Sequence, residues 1–514
     1  MFIREKKNPS GSISIQIISK HKSRYKVVKT IGCATEQHKI DQLKFQARQQ
    51  MEELARQPSL FASADDQLVE QAFSSLSNSH IRTVGPELIF GKIYDYIGFG
   101  TINEPLFRHL VIARLAFPLS KLKTTEYLYR YQGILIDTNK IYRFLDKLNN
   151  RLKEQIEQIA FAHTKRTLKE DISVVFYDMT TLYFEASDED DLRKTGFSKD
   201  GKHSNPQIVI GLLVGLSGYP IGYDIFEGNT YEGHTLIPFL EKIQEKFDIN
   251  KPVVIADSGL LSNDNLKALE DEGYEYIIGA RLKNESKTVQ QQIFGYRYQD
   301  GNCYSIDKEV VIEKKKRTRR LIVHYSEARA RKDAHNRKRG LERLEKRLDS
   351  GRLTKANINN RGYNKYLEMT GEITISIDYR KYESDNIWDG LKGYRTNSKL
   401  SGKMILENYS QLWHIEKAFR ISKTDLRIRP IYHRLRHRIE AHICIAFTAY
   451  SVYKELERVL QEAKSRLSPQ KANEVTHNMY QITYSLPDSK HTKTRLLKMD
   501  EQQAELYKII EENF

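Results

Sequence analysis

Three acidic residues stand where the sequence pattern can support chemistry. Asp178 follows the apolar run of SVVFYDMTTLYF, and Asp257 follows a second such run in PVVIADSGLLS. An isolated Asp after a strand is ordinarily a turn former or a helix cap. Two of them, on strands expected to be neighbours, imply more. Side chains at the carboxyl ends of strands in an α/β sheet converge on the crevice where ligands bind. Paired carboxylates repel unless a cation joins them, and hard divalent cations such as Mg²⁺ take oxygen ligands and leave room for substrate phosphates. The third residue is Glu416, in YSQLWHIEKAFRISKTDL. Leu412, Ile415 and Phe419 form an apolar stripe there, and Tyr409, Glu416, Arg420 and Lys423 run along an adjacent face of one expected helix. A solvated Glu416–Arg420 pair is the common outcome of that spacing. A Glu one step from the stripe, with cations beside it, also suits a site that handles phosphate.

Hydrophobic periodicity supplies the elements that must position these residues. Ser173–Tyr177, Ile208–Gly215 and Tyr219–Phe226 read as three strands in a meander. Thr235–Phe247 reads as a helix, Pro252–Ala256 as a buried strand, then a helix capped by Ser262 and ended by Gly273, then a strand at Tyr276–Ala280. That order is the order of a ribonuclease H-like core, an α/β mixed sheet with covering helices. Arg281–Leu400 interrupts it with short strands around Cys303–Ile312, Arg319–His324 and Glu372–Tyr382, and a basic helical stretch at Ala328–Leu348. Leu406–Lys423 and Arg436–Leu460 follow as amphipathic helices.

Upstream, Ile13–Ile18 and Tyr25–Ile31 suit a small hairpin, Gln37–Arg56 a helix, and the helical pattern resumes from Ala64. Thr124–Gln132, a turn at Gly133–Leu135 and Thr138–Leu148 suit a helix-turn-helix, or an ordinary helical hairpin. Asp137 or Thr138 caps its second helix, which would present Asn139, Lys140 and Arg143 outward to a major groove. The expected organisation is therefore an N-terminal hairpin and helix (1–60), a helical DNA-binding region (61–165), a catalytic domain (171–285 with 400–460), a β-rich basic insertion (286–399) and a helical tail (461–514).

A chain of 514 residues is too long for one compact core. Its formal net charge of +16 points to a polyanionic partner, because a positive field gathers phosphates and releases counterions. The densest positive patch is the run Lys314, Lys315, Lys316, Arg317 and onward to Arg320, which is ordinarily a solvated face and in a DNA-holding chain an electrostatic track. Cys33, Cys303 and Cys444 are scattered, giving neither a disulfide framework nor a zinc cluster, as suits a reducing cytosol. The opening MFIREKKNPSGS lacks the apolar core of a signal peptide. The longest apolar stretch, Ile208–Gly215, is too short to cross a bilayer. A soluble, cytoplasmic protein without a membrane partner is expected. Trp388 is expected as a half-buried core residue, with stacking on a displaced base as the functional alternative. His433, His437 and His442 share one basic stretch, but no HExxH or nearby Cys accompanies them as a zinc site requires.

The spacing Tyr409-x2-Leu412-x3-Glu416-x6-Lys423 resembles the Tyr-Arg-Glu-Lys signature of DDE transposases from bacterial insertion sequences, with Leu412 where that signature has Arg. The strings FYDMTTLYFE, LRKTGFSKDGKHSNPQIVIGLLV, GYPIGYDIFEGNTYEGHT, IADSGLLS and LWHIEKAFR are similar to that family's catalytic core, as is a β-rich insertion between the second Asp and the Glu. The resemblance covers most of Asp171–Leu460 and, more loosely, Pro86–Leu148. It implies that Asp178, Asp257 and Glu416 form a triad holding two divalent cations, Mg²⁺ with Mn²⁺ able to substitute. It implies an enzyme that nicks transposon ends and joins the 3′-hydroxyl to target DNA. Arg420 and Lys423 would grip phosphates near the cut, and Tyr409 would contact the DNA end. The implied partners are terminal inverted repeats, target DNA and a second copy of the chain. A ribonuclease H-like nuclease without strand transfer would need the same carboxylates, and a catalytically idle DNA-binding relative would keep only the basic surface.

Overall fold

Strand after strand in the middle of the chain is apolar on both faces, as burial between two helical layers requires. The computed structural model describes residues 1–514 except 22–23, 56–72, 74–75, 78–79, 149, 170–171, 199–200, 232–234, 248, 261, 313–314, 352, 355–356, 360–361, 371–373 and 486–490. The helix expected from Ala64 onward falls largely outside the described residues. The chain divides into two compact units, one of residues 1–81 with 482–495, the other of residues 82–481 with 496–514.

In the first unit the expected hairpin gains a strand. Phe2–Lys7, Ile13–His21 and Arg24–Ala34 make an antiparallel sheet in that order. Ile15 and Ile17 pack with Ile40 and Ala47 of the helix Gln37–Ala55.

The second unit is built on an eight-stranded sheet. Its strands are β1 (Val174–Tyr183), β2 (Gln207–Val214), β3 (Pro220–Glu227), β4 (Val253–Ala256), β5 (Tyr276–Ala280), β6 (Cys303–Ile312), β7 (Lys315–Tyr325) and β8 (Leu391–Thr396). They lie in the order β6-β7-β8-β5-β4-β1-β2-β3. β1, β2 and β3 are antiparallel neighbours, whereas β1–β4 and β4–β5 are parallel pairs. The five-strand half is thus the ribonuclease H-like arrangement expected from the element order.

Strand alternation sends odd residues of β1 to one face and even residues to the other. Val175, Tyr177 and Met179 pack under α3 (Leu236–Phe247) and α4 (Asn263–Asp271). Val174, Phe176 and Leu182 face the larger core with α6 (Gly402–Ser410), α7 (Trp413–Thr424) and α8 (Arg436–Glu462). Ser262 caps α4 by accepting from the Asn265 N–H at 3.1 Å, as expected.

The long interruption departs from expectation in two places. The interruption between β5 and α6 is continuous with the sheet, because β8 pairs antiparallel with β5 and carries β7 and β6 beyond it. Among the described residues of the stretch expected as the strand Glu372–Tyr382, Thr374–Ile377 is extended, and Tyr379–Ser384 is helical with Asp378 as its cap. The basic stretch is α5 (Glu327–Asp349). Ahead of β1, α1 (Lys121–Gln132) and α2 (Thr138–Lys147) are joined through Gly133, whose φ of +67° ends α1 in the left-handed region that favours glycine. Among the described residues no helix is long and apolar enough to cross a membrane.

Candidate active site

Asp178 lies inside β1, not after it. β1 keeps pairing with β2 out to Tyr183, so Asp178 sits opposite Leu212 and is half-buried. Pairing with β4 stops at Phe176, which stands beside Ile255. Two residues beyond that last pair come Asp178, still in β1, and Asp257, one residue past the end of β4. Each shares the parity of a residue, Phe176 or Ile255, whose side chain belongs to the core under α7. Asp257 is exposed just past β4, and its Oδ1 accepts the Gly259 N–H at 2.6 Å.

Glu416 stands in the first turn of α7, where the helix dipole favours a carboxylate. It is exposed, while Ile415, Ala418 and Phe419 are buried and seat α7 against β1 and β2. The apolar stripe is as expected, but the single helix Leu406–Lys423 is not. Leu412 N–H bonds the Tyr409 carbonyl and Ile415 N–H that of Leu412, so the backbone tightens between Ser410 and Trp413 and splits α6 from α7.

Tyr409 is 7% exposed and packs edge-on to Tyr394 of β8, with ring centroids 4.7 Å apart. Burial pushes its hydroxyl pKa well up, and the negative charges of Asp257 and Glu416 both add to the effect. One phenol therefore feels two of the three carboxylates. Its hydroxyl lies 2.6 Å from where a Cβ on Gly279 would stand. Gly279→Ala is expected to displace this ring and cost about 1–3 kcal/mol by overpacking. A denaturation midpoint equal to that of the unaltered chain would show that the ring yields freely.

Lys392, on β8, was not evident in the sequence. Its ammonium lies over the Tyr409 ring at 4.6 Å and the Tyr394 ring at 5.4 Å. Burial and then the Arg329 charge lower its pKa, while Glu416 opposes them. It lines a polar cleft of about 600 Å³ that also reaches Ser258, Arg329, Trp388 and Tyr409. Trp388 is half-buried, edge-on to Phe294 at 4.7 Å, and thus both packs and lines the cleft.

Arg420 is exposed on α7, and Lys423 is half-buried beside Thr180 and Leu182 of β1. Asn139, Lys140 and Arg143 are exposed on α2, whose Ile141, Phe144 and Leu145 are buried, and Asp137 is the cap. The basic run divides by strand alternation. Lys314 and the side chain of Lys315 lie outside the described residues. Lys316 points to solvent. Arg317 is engaged by Glu270 at 3.0 Å and by Asp271, and Arg319 is buried against Glu270. Arg317 therefore belongs to a structural ion network, not to a solvated track. Of the histidines, His437 meets Asp146 at 2.8 Å and His442 donates to the Ile428 carbonyl at 2.9 Å.

Among the described residues no three His, Cys, Asp or Glu side chains stand close enough to hold an ion as they are. The donor chemistry of Asp178, Asp257 and Glu416 is nonetheless that of a hard cation, all oxygen and all anionic. Two of the three are exposed and open to a ligand from solvent.

The sequence matches no curated protein. Among solved structures, a piggyBac transposase synaptic complex with hairpin DNA is similar at 8% identity over 77% of this chain and 78% of that one, with a TM-score of 0.38. A Drosophila P element transposase strand transfer complex is similar at 11% identity over 80% and 90%, with a TM-score of 0.23. A Mos1 transposase paired-end complex with the left transposon end is similar at 13% over 31% and 53%, with a TM-score of 0.16. These distant likenesses do not bear on the site. The transposase DDE domain matches residues 169–452, more than half of the chain and the segment that holds Asp178, Asp257 and Glu416. The chain belongs to the transposase DDE-domain family.

Proposed function

We propose that this protein nicks the ends of a transposon and joins the released 3′-hydroxyl to target DNA, with Asp178, Asp257 and Glu416 holding two divalent cations. Mg²⁺ is the expected metal, with Mn²⁺ able to replace it. The observation that supports the reading is the parallel register of β1 on β4 up to Phe176 and Ile255, with Asp178 and Asp257 two residues beyond that pair and α7, which carries Glu416, packed on β1 and β2. Asp178, Asp257 and Glu416 would be the residues that hold the ions. The chemistry a bound pair would supply is water activation and charge neutralisation at the leaving oxygen.

The remaining work is positioning. Arg420, Lys423 and Lys392 are cations on or beside the carboxylate face and would hold phosphate oxygens of the cut strand. Tyr409, buried and braced by Tyr394, would keep the wall between Asp257 and Glu416 firm rather than lie on the DNA. Asn139, Lys140 and Arg143 would meet the duplex from α2. Lys316 would contribute to a basic surface, whereas loss of Arg317 would chiefly unsettle Glu270. Trp388 would stack on a displaced base at the cleft wall. Two ends must be joined, so a homodimer on DNA is the expected assembly, working in the cytoplasm.

Strand joining tests the reading. A pre-cut duplex end incubated with supercoiled plasmid and Mg²⁺ should yield covalent end–plasmid products. Cleavage of the end without any joined product would favour a nuclease of the same fold, and neither reaction would favour a DNA-binding relative.

A further inference from the structure

A second cleft, of about 280 Å³, lies between the loop that leaves α7 and the helices ahead of β1, and among the described residues no carboxylate lines it. Arg114, Lys121, Arg427 and Arg429 do. Arg114 is 7% exposed and Lys121 8%. Other buried cations in this unit have acidic partners, as Arg319 has Glu270 and Lys454 has Glu457. Among the described residues Arg114 reaches the carbonyls of Leu426 and Arg427, each at a long 3.4 Å. Burial holds the Lys121 ammonium well below its ordinary pKa, and the Arg114 charge adds to the effect. The histidines of the cleft offer no negative charge. His442 spends its Nε2 proton on the Ile428 carbonyl, and its Nδ1 is buried without a partner.

The same cleft opens on the first residues of α1. Ser120 caps that twelve-residue helix, and Ser120, Lys121 and Leu122 line the cleft. The N–H groups and dipole of a helix start favour an anion. Burying an unpaired cation is costly, so two of them in one cleft, beside a helix start, describe a site that an oxyanion completes. Tyr142 of α2 lines the cleft too, which ties it to the helix that turns Asn139, Lys140 and Arg143 outward.

We infer that this cleft is a phosphate site, with Arg114, Lys121 and the start of α1 as its donors, filled by a backbone phosphodiester of bound DNA. The occupant rests on the DNA reading proposed above, while the phosphate chemistry rests on the cleft alone.

The full-length protein and its Lys121→Met variant test both parts. Melting temperatures would be read in phosphate-free buffer, with inorganic phosphate, and with chloride at equal ionic strength. Duplex DNA binding would be titrated over a range of salt. The unaltered chain should melt higher in phosphate than in matched chloride. Lys121→Met should melt at or above the unaltered chain without phosphate, lose the phosphate-specific rise, and bind duplex about tenfold more weakly, with a salt slope shallower by about 0.9 for one lost phosphate contact. No phosphate-specific rise in the unaltered chain would overturn the site. A rise that Lys121→Met abolishes without weakening duplex binding would overturn the DNA occupant. Failure of the unaltered chain to bind duplex would refute the DNA reading and with it the occupant, and the phosphate measurement would still judge the cleft. Should Lys121→Met not fold, Lys121→Gln carries the same readouts.

Discussion

Asp178→Asn is expected to leave a protein that folds and binds duplex DNA yet cuts it at least on the order of 10³-fold more slowly. Asparagine keeps the shape and one oxygen of the side chain but removes the charge, so β1 still pairs with β2 through Leu212. What it removes is one of the carboxylates proposed to hold the two ions. Several kcal/mol of transition-state stabilisation come from such ions, and each 1.4 kcal/mol is a factor of ten. Asp257→Asn should follow the same course, because an amide oxygen can still accept the Gly259 N–H that shapes the turn. Cleavage of a labelled end in Mg²⁺, beside binding of that end in EDTA, separates the two properties. Cleavage by Asp178→Asn at the rate of the unaltered chain would take Asp178 out of the mechanism.

The residues behind this prediction were legible in the sequence because a sheet buried on both faces writes its strands as apolar runs. VVFY, IVIGLLV, VVIA and YIIGA each mark a strand of the sheet. Less visible was how far β1 runs, since DMTTLY mixes polar and apolar residues and only pairing with β2 holds it extended. β8 could not be seen, because LKGYRT carries a glycine and two cations and is a strand only between β5 and β7. With it went Lys392. The break between α6 and α7 left no mark either, since Gln411 and Leu412 are compatible with helix and only the tightened bonds divide it. A run of cations reads as a solvated face, yet Arg317 and Arg319 turn inward because their partners lie on α4, distant in sequence.

That ion network predicts the largest effect on stability. Glu270→Ala is expected to cost about 3–5 kcal/mol, the usual penalty for stranding one member of a buried ion pair. Glu270 and Arg319 have side chains 9% and 2% exposed, with Arg319 Nε donating to Glu270 Oε1 at 2.8 Å. The Tyr276 hydroxyl donates to the same oxygen at 2.8 Å, and Arg317 reaches the other at 3.0 Å. Burial opposes the charged carboxylate, but the hydrogen bonds from Arg319 and Tyr276 outweigh it and hold Glu270 below its ordinary pKa. A carboxyl depressed in the folded state stabilises it above the unfolded pKa, and that contribution is lost as pH falls through the folded value. Acid unfolding of the unaltered chain should thus show a component that Glu270→Ala lacks. A double variant, Glu270→Leu with Arg319→Met, should recover most of the loss, since a packed apolar pair replaces a desolvated ionic one. The network also fastens α4, which follows Asp257 by a short turn, to β7 of the long interruption. Loosening it should therefore lower cleavage in Glu270→Ala and restore it in the double variant. Denaturation midpoints equal in all three proteins would show that these ions hold nothing in place.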